Sequence, residues 1–286
     1  MFDIDHEKVK QIISSFQIPV KPQILTELQQ EQSRPEPCPN AYAEIVAKDV
    51  ALSANILKTI NSPLFGLNRA ISDIKQSVMM LGTDNVTNIA SFFQLRQAFS
   101  GKSAISHEKY WDTAMETANM IGIILDHMDF KNDCPTEDAY AFGLFRDCGI
   151  PLMAMKFPDY KDVLMEANAN YDTVFTEIED QHYSTNHAVV GYFVANSWNL
   201  PKDLCQLILR HHQSDFLEAS DATEEQKNLF ILAKMASNAL NNYKFMKDDS
   251  EWYLVQESVR GYLGLSQHDY RDLEDDVKEE YKVQFS

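Results

Sequence analysis

Glycine and proline are scarce in this chain, nine and ten among 286 residues. Between them run long stretches rich in Leu, Ala, Glu, Lys, Gln and Met, with apolar residues returning every three or four positions. That period predicts a mostly helical protein with few hairpins. With 44% hydrophobic residues over this length, the chain can build one large domain or two smaller ones around a core. A formal net charge of −18 opposes a phosphate backbone, and no basic patch offsets it, so nucleic acid is not an expected partner. The four cysteines, Cys38, Cys134, Cys148 and Cys205, form no CxxC pair and are expected as reduced thiols. Residues Met1 to His6 lead into no apolar signal core, and no run of about 18 apolar residues follows, which predicts a cytoplasmic protein with no membrane association.

Punctuation along the chain sets the expected elements. After the stiff connector Pro35, Pro37 and Pro39, an apolar period runs through Ala43, Val46, Val50 and Ala54. Asp49 is a candidate N-cap for a helix with Leu52, Ile56, Leu57 and Ile60 inward, stopping at Asn61, Ser62 and Pro63. Ile74, Val78 and Leu81 mark the next helix, closed by Gly82 where φ > 0 is commonly needed, and Thr83 restarts it with Val86, Ile89, Ala90 and Phe93 on one face. The small, polar run GKSAIS at 101 to 106 is a seam between two helical halves. Beyond it, Tyr110, Trp111, Ala114, Ala118, Ile121 and Leu125 form a stripe. Pro135 opens a helix that runs into Arg146 and Asp147, and Gly149 ends it. Further helices carry Val190 to Trp198 and Leu204 to Ile208, and three more close the chain near 223–243, 250–260 and 267–284, the last capped by Ser266. The expected divisions are 1–103, 104–215 and a C-terminal extension, 216–286.

Three features bear on chemistry: Asp147, the lone His187 at a helix start, and the doublet His211 and His212. His211 continues the stripe of Leu204, Leu207 and Ile208 and is expected to point inward, either neutral and hydrogen bonded or bound to something. An aspartate at one helix end and three histidines on later helices are a donor set suited to iron, manganese or zinc. The NSPLFG loop at 61 to 66 could be a binding turn, but its residues suit a helix terminator and an apolar plug. Trp111 and Trp198 are expected in the core, and the acidic run near Asp272 on the solvated face of the last helix. There is no glycine-rich phosphate loop and no nucleophile elbow.

From about Ile12 to His212 the sequence resembles the HDOD domain, a non-catalytic relative of the HD phosphohydrolases found in bacterial signalling proteins. The resemblance is carried by IPVKPQIL at 18 to 25, AKDVALSANILKTINSPLFG at 47 to 66 and SDIKQSVMMLG at 72 to 82. It continues through YWDTAMETA at 110 to 118, AFGLFRDCG at 141 to 149, Glu179 followed by His187, and NSWNLPKDLCQLILRHH at 196 to 212. It implies an all-α, HD-like helical bundle with extra C-terminal helices. It also implies a degenerate site, because the positions matching three metal ligands of the catalytic relatives hold Thr113, Arg146 and Lys234. Imidazole offers a lone pair to a cation, whereas guanidinium has none and keeps its charge.

The pocket so implied contains Thr113, Arg146, Asp147, His187, His211, His212 and Lys234, with no catalytic residue. No metal is expected in it; any ion that bound would use Asp147, His187, His211 and His212. Arg146 and Lys234 are expected to replace a metal's charge beside Asp147. The resemblance therefore implies a regulatory module binding signalling proteins in trans or a small anionic or nucleotide ligand. Its rival is a phosphohydrolase acting on a nucleotide or cyclic dinucleotide with an unusual set of ligands to Fe, Mn or Zn.

Overall fold

The computed structural model describes residues 15–67, 69–128 and 134–285, and among them there is helix and no strand. The chain divides into two compact units, Pro19–Ser100 and Gly101–Val283, the latter joined by residues 15–18.

The first unit contains α1 (Gln23–Gln32), α2 (Pro39–Val46), α3 (Val50–Ile60), a 3-10 turn (Pro63–Phe65) and α4 (Ile74–Ala98). Leu25, Leu28, Tyr42, Val46, Leu52 and Ile56 are fully buried at its centre. Asp49 caps α3 as the sequence suggests, accepting from Leu52 N at 2.9 Å. That cap also corrects an expectation. The chain turns at Asp49, which breaks the apolar period, so Val46 is buried while Val50 is 81% exposed. Gly82 takes φ 80° and ψ 164°, a left-handed-side conformation that interrupts α4 into two helical stretches. The NSPLFG turn is held by Asn61. Its Oδ1 accepts from Ile71 N, and its Nδ2 donates to the carbonyls of Ile71 and Leu57, all at 2.7 Å.

The second unit contains α5 (His107–His127), α6 (Thr136–Phe145), α7 (Ile150–Lys156), α8 (Tyr160–Ala169), α9 (Phe175–Tyr183), α10 (His187–Ser197), α11 (Lys202–Arg210), α12 (Glu224–Phe245), α13 (Trp252–Leu263) and α14 (Gln267–Phe285). Trp111, Ala114, Ala118, Ile121 and Leu125 of α5 are buried, and α6 and α12 pack against that helix. The capping box of Thr223 and Gln226 starts α12. Ser266 and Asp269 exchange bonds in the same way at the start of α14, as the sequence suggests. Residues beyond 215 belong to this unit's core, since Phe230, Ile231, Leu232 and Val259 are buried and Trp252 stacks on Tyr270 at 4.6 Å. None of the helices among the described residues is long and apolar enough to cross a membrane.

Candidate metal centre

Two glycines set the frame. A Cβ on Gly149 would lie 2.0 Å from the carbonyl oxygen of His187 and 2.6 Å from the amide nitrogen of Gly191, distances no side chain survives. The turn after α6 therefore touches the first turn of α10 main chain to main chain. Asp147, two residues before Gly149, is thereby brought beside His187, the first residue of α10. His211 and His212 follow the last residue of α11. One donor atom from each of these four residues lies within 4.8 Å of all the others.

The hydrogen bonds fix how each imidazole is used. His187 Nδ1 lies 2.6 Å from Glu179 Oε2, His211 Nδ1 lies 2.7 Å from the carbonyl of Ile208, and His212 Nδ1 lies 2.7 Å from both oxygens of Glu251. These partners only accept, so each Nδ1 must carry the donated hydrogen, and each Nε2 is left to the site. His187 Nε2 and His212 Nε2 face one another at 2.9 Å. Asp147 Oδ1 lies 3.0 Å from His211 Nε2 and 3.5 Å from His187 Nε2. Neutral rings in these tautomers present lone pairs to one another, so a proton or a cation must lie among them. Histidines whose far nitrogen is bound to carboxylate or carbonyl are the usual form of metal-ligating imidazole. The donor set fits a divalent ion of the iron, manganese or zinc type.

Charge follows the same geometry. Burial pushes the Asp147 carboxyl up, but the Arg146 guanidinium and the bonds to His187 and His211 outweigh it and hold the group well below the carboxylate range. Burial pushes His187 down, but the Glu179 charge and the bonds to Asp147 and Glu179 raise it to about 10. Burial lowers His211 and, more strongly, His212, and neighbouring Asp147 and Glu251 do not restore them. A single proton on His187, shared across the 2.9 Å gap to His212, satisfies this pattern.

The expected pocket residues are not all in place. Arg146 is: its Nε lies 3.0 Å from Asp147 Oδ2, while its Nη1 donates to Ser237 Oγ at 2.6 Å and the Ala233 carbonyl at 3.2 Å. Lys234 lines the same cavity of about 200 Å³, but its ammonium is spent on Glu251 Oε2 at 2.6 Å, so it does not neutralise Asp147 directly. Thr113 is exposed. It is not among the residues that line the cavity. Tyr110, one turn earlier on α5, lies within electrostatic reach of Asp147. Burial and then the Asp147 charge push its phenol well above the usual range, and its hydroxyl is buried with no hydrogen-bond partner among the described residues.

Two functional residues lay outside the expected set. Glu179, named only as a motif neighbour, is fully buried and also accepts from His187 N at 3.0 Å and from the Tyr160 hydroxyl. Glu251 comes from the C-terminal helices, and no spacing in the sequence ties it to a histidine 39 residues earlier.

Comparison with known proteins bears on the fold. The sequence profile of the HDOD domain matches residues 18–214. The solved HDOD domain protein of unknown function from Geobacter sulfurreducens is 21% identical, with TM-score 0.67 and 97% of each chain covered. A chain named as a phosphohydrolase from Shewanella amazonensis is 18% identical, TM-score 0.67, covering 97% of this chain and 98% of that one. One named for signal transduction from Marinobacter aquaeolei is 17% identical, TM-score 0.70, covering 98% and 64%. At these identities the likeness shows the fold alone. An uncharacterized protein of Treponema pallidum is 23% identical over 87% of this chain, and the chain spans 46% of that relative's length.

Proposed function

Because this chain belongs to the HDOD domain family, we propose that it is a non-catalytic regulatory module that acts by binding signalling proteins, and that its degenerate HD site holds one divalent cation on Asp147, His187, His211 and His212. The observation that carries this reading is the division of Asp147. Its Oδ1 faces the histidines, and its Oδ2 lies 3.0 Å from Arg146 Nε. A permanent guanidinium at that oxygen opposes a second cation there. The remaining position has four protein donors, the closed pattern of structural sites, whereas catalytic sites keep three donors and an open place. In a catalytic site the ion would acidify a bound water and polarise a phosphoryl oxygen. The cavity of about 200 Å³ lies below the roughly 300–1,000 Å³ of drug-sized ligand sites, which favours an ion over a nucleotide as occupant.

Elemental analysis of protein purified without chelator, joined to an assay on phosphomonoesters and cyclic dinucleotides, tests the reading. The expected result is about one divalent ion per chain and no metal-dependent turnover. Turnover that appears with metal and vanishes with chelator establishes the phosphohydrolase instead.

A further inference from the structure

Glu251 stands well beyond residue 214, where the family match ends, yet its carboxylate is committed to the site. It is 8% exposed. Oε1 accepts from Phe175 N at 2.8 Å, both oxygens accept from His212 Nδ1 at 2.7 Å, and Oε2 accepts from Lys234 Nζ at 2.6 Å. One side chain thus ties the start of α9, the end of α11 and the middle of α12 to the N-cap of α13. Its own segment is held from behind. Glu251 N donates to Asp249 Oδ1 at 3.0 Å, and Asp249 N donates to Asn238 Oδ1 at 2.9 Å. Asn238 Nδ2 in turn donates to Glu274 of α14 at 2.6 Å.

From this arrangement we infer that Glu251 is a positioning residue that couples cation occupancy to the docking of the C-terminal helices. The inference rests on the cation reading above. Docked, Glu251 holds the His212 hydrogen on Nδ1 and so keeps its Nε2 bare toward His187. If docking strengthens the cation's hold by some factor, the cation strengthens docking by the same factor, because linkage is reciprocal. Lys234 acts in two directions: its bond to Oε2 helps dock α13, while its ammonium sets a like charge beside the cation position and opposes the ion.

Mn²⁺ titrated calorimetrically into the full chain, with hydrogen exchange followed over residues 250–263, tests the coupling. Loss of such an outer partner typically weakens a metal about 10–100-fold, and that is the change expected for Glu251→Gln. Lys234→Gln is expected to tighten Mn²⁺ several-fold while lowering stability, a pairing that a merely structural role for both residues would not give. Mn²⁺ should slow exchange over 250–263 at least tenfold more in the unaltered chain than in Glu251→Gln. Should that variant not fold, Glu251→Asp, which withdraws the carboxylate by one methylene, serves with the same expected direction. Mn²⁺ binding unchanged by the Glu251 variant, or weakened alike by both substitutions, overturns the coupling and leaves the cation reading standing. No binding of Mn²⁺, Zn²⁺ or Fe²⁺ to the unaltered chain overturns both.

Discussion

Replacing Arg146 with alanine tests whether a guanidinium stabilises the site by holding Asp147. The substitution removes the ion pair at 3.0 Å and the bonds to Ser237 Oγ and the Ala233 carbonyl, and it leaves Asp147 charged with its Oδ2 unpaired. Breaking a fully buried pair costs about 3–5 kcal/mol. The side chains here retain 15% and 22% of their exposure, so water recovers part of that, and the expected loss is about 3 kcal/mol. For a unit the size of Gly101–Val283, each kcal/mol moves Tm by about 2–4 °C, giving a fall of about 6–12 °C. The assay is urea unfolding followed by tryptophan fluorescence in the presence of chelator. Trp111, Trp198 and Trp252 all lie buried in this unit, so the signal reports on it. In an Asp147→Asn background the same substitution should cost about 1 kcal/mol or less, since contacting charges couple by about 0.5–3 kcal/mol. A loss under about 0.5 kcal/mol in the unaltered background, or equal losses in both, refutes the reasoning.

Other outcomes follow from the same geometry. His187 is raised from 6.5 to about 10, so its proton contributes stability that is fully present below pH 6.5 and lost as pH rises toward 10. Unfolding in chelator across that window should show the decline, and His187→Gln should flatten it. Gly149→Ala forces a Cβ against the His187 carbonyl and should cost about 3 kcal/mol in urea unfolding, the upper range for overpacking, while weakening Zn²⁺ binding measured by calorimetry. Asn61→Ala removes the bonds that clasp Ile71 and should destabilise Pro19–Ser100 by about 2 kcal/mol, with hydrogen exchange at the Ile71 amide accelerating first.

What could be read from the sequence was what is local. Asp49, Gly82, Ser266 and the stripe from Trp111 to Leu125 act within a few residues of themselves, and each stands where its type suggested. Val50 was misplaced because a period of three or four continues smoothly across a cap, although the chain does not. Register with catalytic relatives points Thr113 to the pocket, but it is exposed and outside the cavity lining, and no spacing singles out Tyr110 one turn earlier. Asp147 and the three histidines were legible as types able to meet on an ion. Lys234 was legible as a charge but not as Glu251's partner, because that pairing depends on how α12 and the start of α13 pack.

The main-chain contact of Gly149 with His187 and Gly191 has a consequence for how such a site can change over time. Asp147 and His187 owe their closeness to two backbones and not to what either side chain grips. The frame is a mount that outlasts its fittings, so a lineage can exchange an imidazole for a guanidinium at 146 without losing the alignment of the rest. It can also be refitted. Arg146→His offers protein engineers a fourth imidazole donor on a scaffold whose spacing is already fixed.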